Sequence, residues 1–329
     1  MRAFIQRYPV LTFVVLTLGF QFLIVLLVKA TSNSGENVLE DPTAHGIFRL
    51  RVFGPLIFAA LLSWYLEGKA GLANLFGSFL KWRVPAKWYM LAFTWKFVLT
   101  YLGCTVLLLF GIREWVGWIK EDFFVGPGTS MEDAAELTLM EWFRYHVFSG
   151  EQTGLKDLRD NMLFLVGVAF VEETSWMKFC VTRLQERFTA FRSCLTIGIC
   201  WGFWYSPMVI MGEGVPDGYL WPMHLMSMIS LTFLLGWIFN MTRSGAVLMV
   251  AQVVANTTFF IIPALPGYWD GDTAYVNSFV FFNISMAVTL VLIYGPKELS
   301  RRKRARWSEG LGPTGEGEGT AQAAISPTV

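Results

Sequence analysis

Histidine is scarce in this chain. Only His45, His146 and His224 occur in 329 residues. Zinc takes about three His, Cys or carboxylate ligands, and these three imidazoles are spread over separate segments. The first two fall in segments outside the apolar runs and the third near the outer end of one, so a histidine-built metal site is excluded and no cofactor is expected. Cysteine is equally sparse. Cys104, Cys180, Cys194 and Cys200 lie within or at the edge of apolar stretches and show no paired spacing. That excludes a disulfide framework or a zinc knuckle and leaves four small buried hydrophobes. Two further things are missing. The first apolar run, residues 10–28, ends at Lys29 without a small-residue cleavage site, so it reads as a retained helix rather than a secretory signal. No inverted repeat or pair of broken helices is visible, which argues against a transporter or channel.

Apolar length is what the chain has in excess. It is 54% hydrophobic and 16% aromatic, with a mean hydropathy of +0.47, above the apolar share of a soluble domain. Several runs approach the ~18–20 residues needed to cross a bilayer. The fold class that follows is all-α, a polytopic membrane bundle of about eight transmembrane helices with an interfacial amphipathic helix.

The spans fall at about 10–28, 53–66 (beginning nearer Ile47, with Arg49 and Arg51 snorkelling), 88–111, 161–181, 193–211, 219–240, 245–262 and 275–294. Between the second and third, Leu72, Leu75, Phe76, Phe79 and Leu80 share one helical face. Lys81, Trp82, Arg83 and Lys87 follow, which predicts a helix lying in the interface plane. A polar, acidic segment occupies 112–160, where Ser130 and Asp133 form a candidate helix cap. Residues 1–298 are thus read as the transmembrane domain. Residues 299–329 are read as a cytoplasmic tail, basic through Arg301, Arg302, Lys303, Arg304 and Arg306, then disordered. Lys and Arg are concentrated at both termini and after spans two, four and six. The positive-inside rule places those parts, and both termini, in the cytoplasm.

Two adjacent carboxylates, Glu172 and Glu173, interrupt the fourth span. A charge at mid-bilayer costs roughly 2.5–3.5 kcal/mol even on the gentler insertion scales. At ~1.5 Å rise per residue, Glu172 lies roughly 13 Å from the cytoplasmic end, Tyr205 about 18 Å, Gln252 and Asn256 about 12 and 18 Å, and Lys96 about 12 Å. Polar groups in lipid must find partners within the bundle. A structural network that clips helices together would satisfy them, but intramembrane carboxylates are more often functional. The reading predicts one polar chamber, opening toward the cell interior. Trp176, Trp201 and Trp204 read as packing.

These residues also carry a family resemblance. Glu172-Glu173-Thr174-Ser175-Trp176-Met177, continued by Arg183-Leu184-Gln185, resembles the first motif of the CPBP family, Glu-Glu-x-x-x-Arg. That family contains the CAAX prenyl endopeptidases and the bacterial Abi membrane proteins. Trp201 to Pro207 is similar to its second motif, Trp-His-x-Pro, and Gln252 to Asn256 to its third, His-x-x-x-Asn. The likeness covers about residues 53–262. It implies an intramembrane endopeptidase in which a glutamate activates water. Glu172 would be the base and Asn256 an oxyanion donor, with Glu173, Tyr205 and Gln252 completing the site.

Three positions depart from the family pattern. Met177 stands for the arginine, Tyr205 for one histidine and Gln252 for the other. Gln252 keeps an N–H donor, whereas Tyr205, with an ordinary pKa near ~10, transfers protons poorly at neutral pH. Lys96 is the candidate replacement counter-ion. The resemblance implies a bacterial plasma membrane, the lipid bilayer and a peptide or lipidated-protein substrate as partners, and no nucleic acid. The alternative is a catalytically inactive homologue acting as a membrane binding or scaffold protein.

Overall fold

The computed structural model describes residues 2–31, 41–119, 154–211, 218–265 and 272–311. Most of the acidic segment, with Ser130, Asp133 and His146, and the tail beyond 311 lie outside the described residues. Among the described residues there are helices and no strand. The helices are α1 (Arg2–Arg7), α2 (Pro9–Thr31), α3 (Pro42–Arg49), α4 (Gly54–Gly77), α5 (Ala86–Leu109), α6 (Gly154–Glu172), α7 (Ala190–Met211), α8 (Trp221–Thr242), α9 (Gly245–Ile261) and α10 (Thr273–Tyr294). Among the described residues, six stretches are long and apolar enough to cross a membrane. The helices at the other two expected spans are special cases. Helix α9 has 17 residues, and α6 ends at Glu172, the first residue of the acidic pair.

Local chemistry sets the boundaries. Asp41 caps α3 by accepting from the N–H groups of Thr43 and Ala44 at 2.8 and 3.2 Å, and Pro42 occupies the first turn, where no N–H is needed. Helix α4 breaks at Gly68 (φ 58°, ψ −139°), a conformation that side chains other than glycine resist. The break falls where the sequence predicts an interfacial helix to begin. At the end of α8, Arg243 adopts a left-handed conformation (φ 57°). Ser244 then starts α9, its hydroxyl accepting from Val247 N–H at 3.3 Å.

At the centre lies a segment whose backbone the sequence did not announce. Residues Glu173–Val181 form a nine-residue π-helix in which every residue is buried. The wider i→i+5 winding turns side chains through a different angle from an α-helix and is uncommon outside functional sites. Helices α4, α6, α7, α8 and α9 all touch it. Helix α7 approaches α8 closely because glycine lines the contact. A Cβ at Gly198 would come within 2.7 Å of the Ile229 Cα, and one at Gly236 within 2.5 Å of the Cys194 Sγ. Small residues permit such backbone approach where water provides no driving force.

The stretch after α10, expected to begin a basic tail, folds back onto the bundle. Leu299, Ala305 and Trp307 are buried. The Trp307 N–H donates to Thr182 O at 3.2 Å, and Asn74 Nδ2 donates to Trp307 O at 2.8 Å. Arg183 lies 4.0 Å from the Trp307 ring centroid. Gln185 and Asn240 exchange side-chain hydrogen bonds at 3.2 and 3.0 Å, and Asn240 Oδ1 accepts from Ala305 N–H at 2.8 Å. This basic end of the bundle is closed by its own chain.

Candidate active site

Three helices meet on one carboxylate. Glu172, the last residue of α6, is fully buried. The Tyr205 hydroxyl from α7 donates to its Oε1. Gln252 Nε2 from α9 donates to its Oε2 at 2.6 Å. The neighbouring Glu173 is equally buried, yet neither of its oxygens has a hydrogen-bond partner among the described residues. The two carboxylates therefore stand in unlike surroundings, one held by two donors and the other by none.

Beside this clamp is a cavity of about 520 Å³, lined by Lys96, Tyr205, Gln252 and Asn256 together with mainly apolar side chains. Asn256 lies one turn beyond Gln252 on α9, and its Nδ2 is buried without a partner among the described residues. Glu172 is not part of the lining; Tyr205 and Gln252, which hold it, are. The cavity reaches His45, Asn161, Tyr219 and Leu265. Those residues stand at the helix ends opposite the end that carries Arg183 and Arg243. The chamber expected to open toward the basic, interior end extends instead toward the other one.

The cations are arranged differently from expectation. Lys96 Nζ donates to the Ala255 carbonyl and lies 3.6 Å from the Phe259 ring centroid. Trp95 donates to the carbonyl one turn earlier, Ala251 O, at 3.1 Å, so α5 is laced to α9 by two successive donors. The expected counter-ion is thus engaged with a backbone carbonyl and an aromatic face. Arg51, expected to snorkel outward, is 3% exposed. Its guanidinium lies 4.9 Å from the Trp204 centroid and 6.0 Å from that of Tyr205, the residue that donates to Glu172. Sequence reasoning missed Arg51 because a position near a span end says nothing about which way its side chain turns. Met177 is buried in the main core, so no cation stands at that motif position. Trp176 stacks on Trp201 (6.1 Å, 15°) and tilts against Trp204 (6.2 Å), which makes the tryptophans the packed floor beneath the clamp.

Among the described residues no three His, Cys, Asp or Glu side chains could hold a metal ion together. Residues 157–258 match the family model described as Type II CAAX prenyl endopeptidase Rce1-like. The matched segment runs from α6 into α9 and contains Glu172, Glu173, Tyr205, Gln252 and Asn256, while Lys96 and Arg51 lie outside it. The CPBP resemblance carried by the three motifs holds over this segment. No curated protein matches the chain. Apolar helices and this match together make it an integral membrane protein with an intramembrane-protease-like domain.

Proposed function

We propose that the protein is a CPBP-type endopeptidase that hydrolyses a peptide bond within the membrane, with Glu172 activating water. One observation carries the reading. Glu172, gripped by Tyr205 and Gln252, adjoins an apolar cavity into which Asn256 brings an unmatched amide donor. A glutamate at this position serves as the base, and amide donors on α9 stabilise the oxyanion as the carbonyl is attacked. The substrate is a peptide or a lipidated protein segment reaching the cavity from the bilayer. The setting is a bacterial plasma membrane with both termini in the cytoplasm. Purified protein in proteoliposomes should cleave a fluorogenic prenylated peptide, and Glu172→Gln should abolish the cleavage. An unchanged rate in that variant would remove Glu172 from the mechanism.

A second reading is favoured by the occupancy of Glu172. Both its oxygens already accept from protein donors, and it does not line the cavity. A catalytically inactive homologue that binds a membrane segment or lipidated chain would keep this clamp for rigidity alone. Installing Tyr205→His with Gln252→His separates the two readings. Activity gained from none identifies a binder; activity already present in the natural chain excludes it.

A further inference from the structure

The imidazole that the sequence leaves at the outer end of a span faces inward. His224, in the first turn of α8, lines the same cavity as Tyr205, Gln252 and Asn256. Its ring centroid lies 5.3 Å from that of Tyr205 and 6.4 Å from that of Tyr219, so two aromatic rings fix its position. Its Nε2 is buried and has no hydrogen-bond partner among the described residues. An imidazole kept only for packing would lose nothing by matching that nitrogen or by giving way to an apolar side chain, since an unmatched buried polar atom costs stability. Tyr205 is the neighbour that touches Glu172. An imidazole nitrogen without a partner and the Tyr205 ring thus share one wall of the cavity, and Tyr205 in turn holds Glu172.

We propose that His224 is the proton carrier of this site, a role that rests on the hydrolytic reading. As the water oxygen bonds to the scissile carbonyl carbon, its proton goes to Glu172. That proton passes to His224 Nε2, and from there to the departing nitrogen as the C–N bond breaks. The sum is a peptide plus water giving a carboxylic acid plus an amine. Glu172 and His224 both return to their starting states, and no other reactant is needed. Neither a phenol at neutral pH nor an amide can carry a proton in this way, whereas an imidazole can. Two imidazoles, His45 and His224, line the cavity, and the role is assigned to His224 because its ring packs on Tyr205, the residue bonded to Glu172.

The test uses the full chain in proteoliposomes with a fluorogenic farnesylated peptide. His224→Gly should lower kcat by about 10²–10⁴-fold with little change in KM, and added imidazole should restore part of the loss. A normal rate in His224→Gly, with Glu172→Gln inactive, overturns the carrier role and leaves the hydrolytic reading intact. A loss that imidazole does not relieve assigns His224 to structure and also overturns it. No cleavage by the wild-type protein sinks both. Should His224→Gly not fold, His224→Gln decides, since an amide keeps much of the side-chain volume but cannot carry a proton. A kcat lowered by about 10²-fold or more in a protein that melts like the wild type supports the proposal; a normal rate refutes it.

Discussion

Gln252 and Glu172, 80 residues apart in the chain, are joined by a 2.6 Å hydrogen bond from Nε2 to Oε2. With Tyr205 on the other oxygen, one carboxylate fastens α6, α7 and α9 together. Gln252→Leu leaves a buried carboxylate oxygen unpaired, which costs about 1–3 kcal/mol and more for a charged group. Tyr205→Phe should do the same from the other side. Thermal unfolding of both single variants and the double in detergent micelles checks this. The double variant should depart from additivity by roughly 0.5–3 kcal/mol, because both donors act on one group. Unaltered melting in both singles would mean that the clamp does not hold the helices.

Trp307 should be indispensable to the basic end. It is 3% exposed, its backbone is bonded to Thr182 and Asn74, and Arg183 covers its ring. Removing a buried tryptophan side chain costs about 3–5 kcal/mol. Trp307→Ala should therefore lower the melting temperature and expose residues 297–311 to added protease. A variant as protease-resistant as the wild type would show that the strap contributes nothing to closure.

Much of this was legible in advance, and the limits have physical reasons. Apolar run lengths locate the helices to within a few residues, since bilayer thickness fixes how long a span must be. The ordered motifs point to Glu172, Tyr205 and Gln252, which hydrogen bonds join, and to Asn256 one turn beyond Gln252. Azimuth is harder. His224, Ser227, Met228 and Leu231 fall at i, i+3, i+4 and i+7 and all line the cavity; that spacing was available as a signal and went unused. The π-helix had no signal at all. No composition or periodicity rule marks a π-helix over Glu173–Val181, a rare winding seen mostly as short bulges at functional sites. The strap at 297–311 was hidden by its charge: six basic residues look solvated, whereas the buried Leu299, Ala305 and Trp307 between them make the contacts.

A pH dependence should arise at the opposite end. Asp272 starts α10, and its carboxyl is held below its ordinary 3.8 by the Arg113 hydrogen bond first and then by the Ala274 N–H. A depressed carboxyl stabilises the fold above its unfolded pKa and loses that contribution as pH falls through the folded value. Both groups are well exposed, so solvent screening keeps the effect small. Asp272→Asn should narrow the difference in melting temperature between pH 7 and pH 3, most visibly at low salt. An identical difference in both proteins would show that the pair carries no net stability.

The identity of the cation coupled to the acidic pair can be settled by two cycles. Lys96 Nζ is committed to the Ala255 carbonyl and the Phe259 face, whereas Arg51 sits over Trp204 and Tyr205, on the Glu172 side. Groups without a shared partner add their effects within about 0.3–0.5 kcal/mol, and groups within one network couple by roughly 0.5–3 kcal/mol. Lys96→Ala with Glu173→Gln should therefore be additive in unfolding free energy. Arg51→Gln with Glu172→Gln should not, because each single change strands the partner that the double removes. Coupling in the lysine cycle and additivity in the arginine cycle would restore Lys96 as the counter-ion and would require its side chain to swing away from α9.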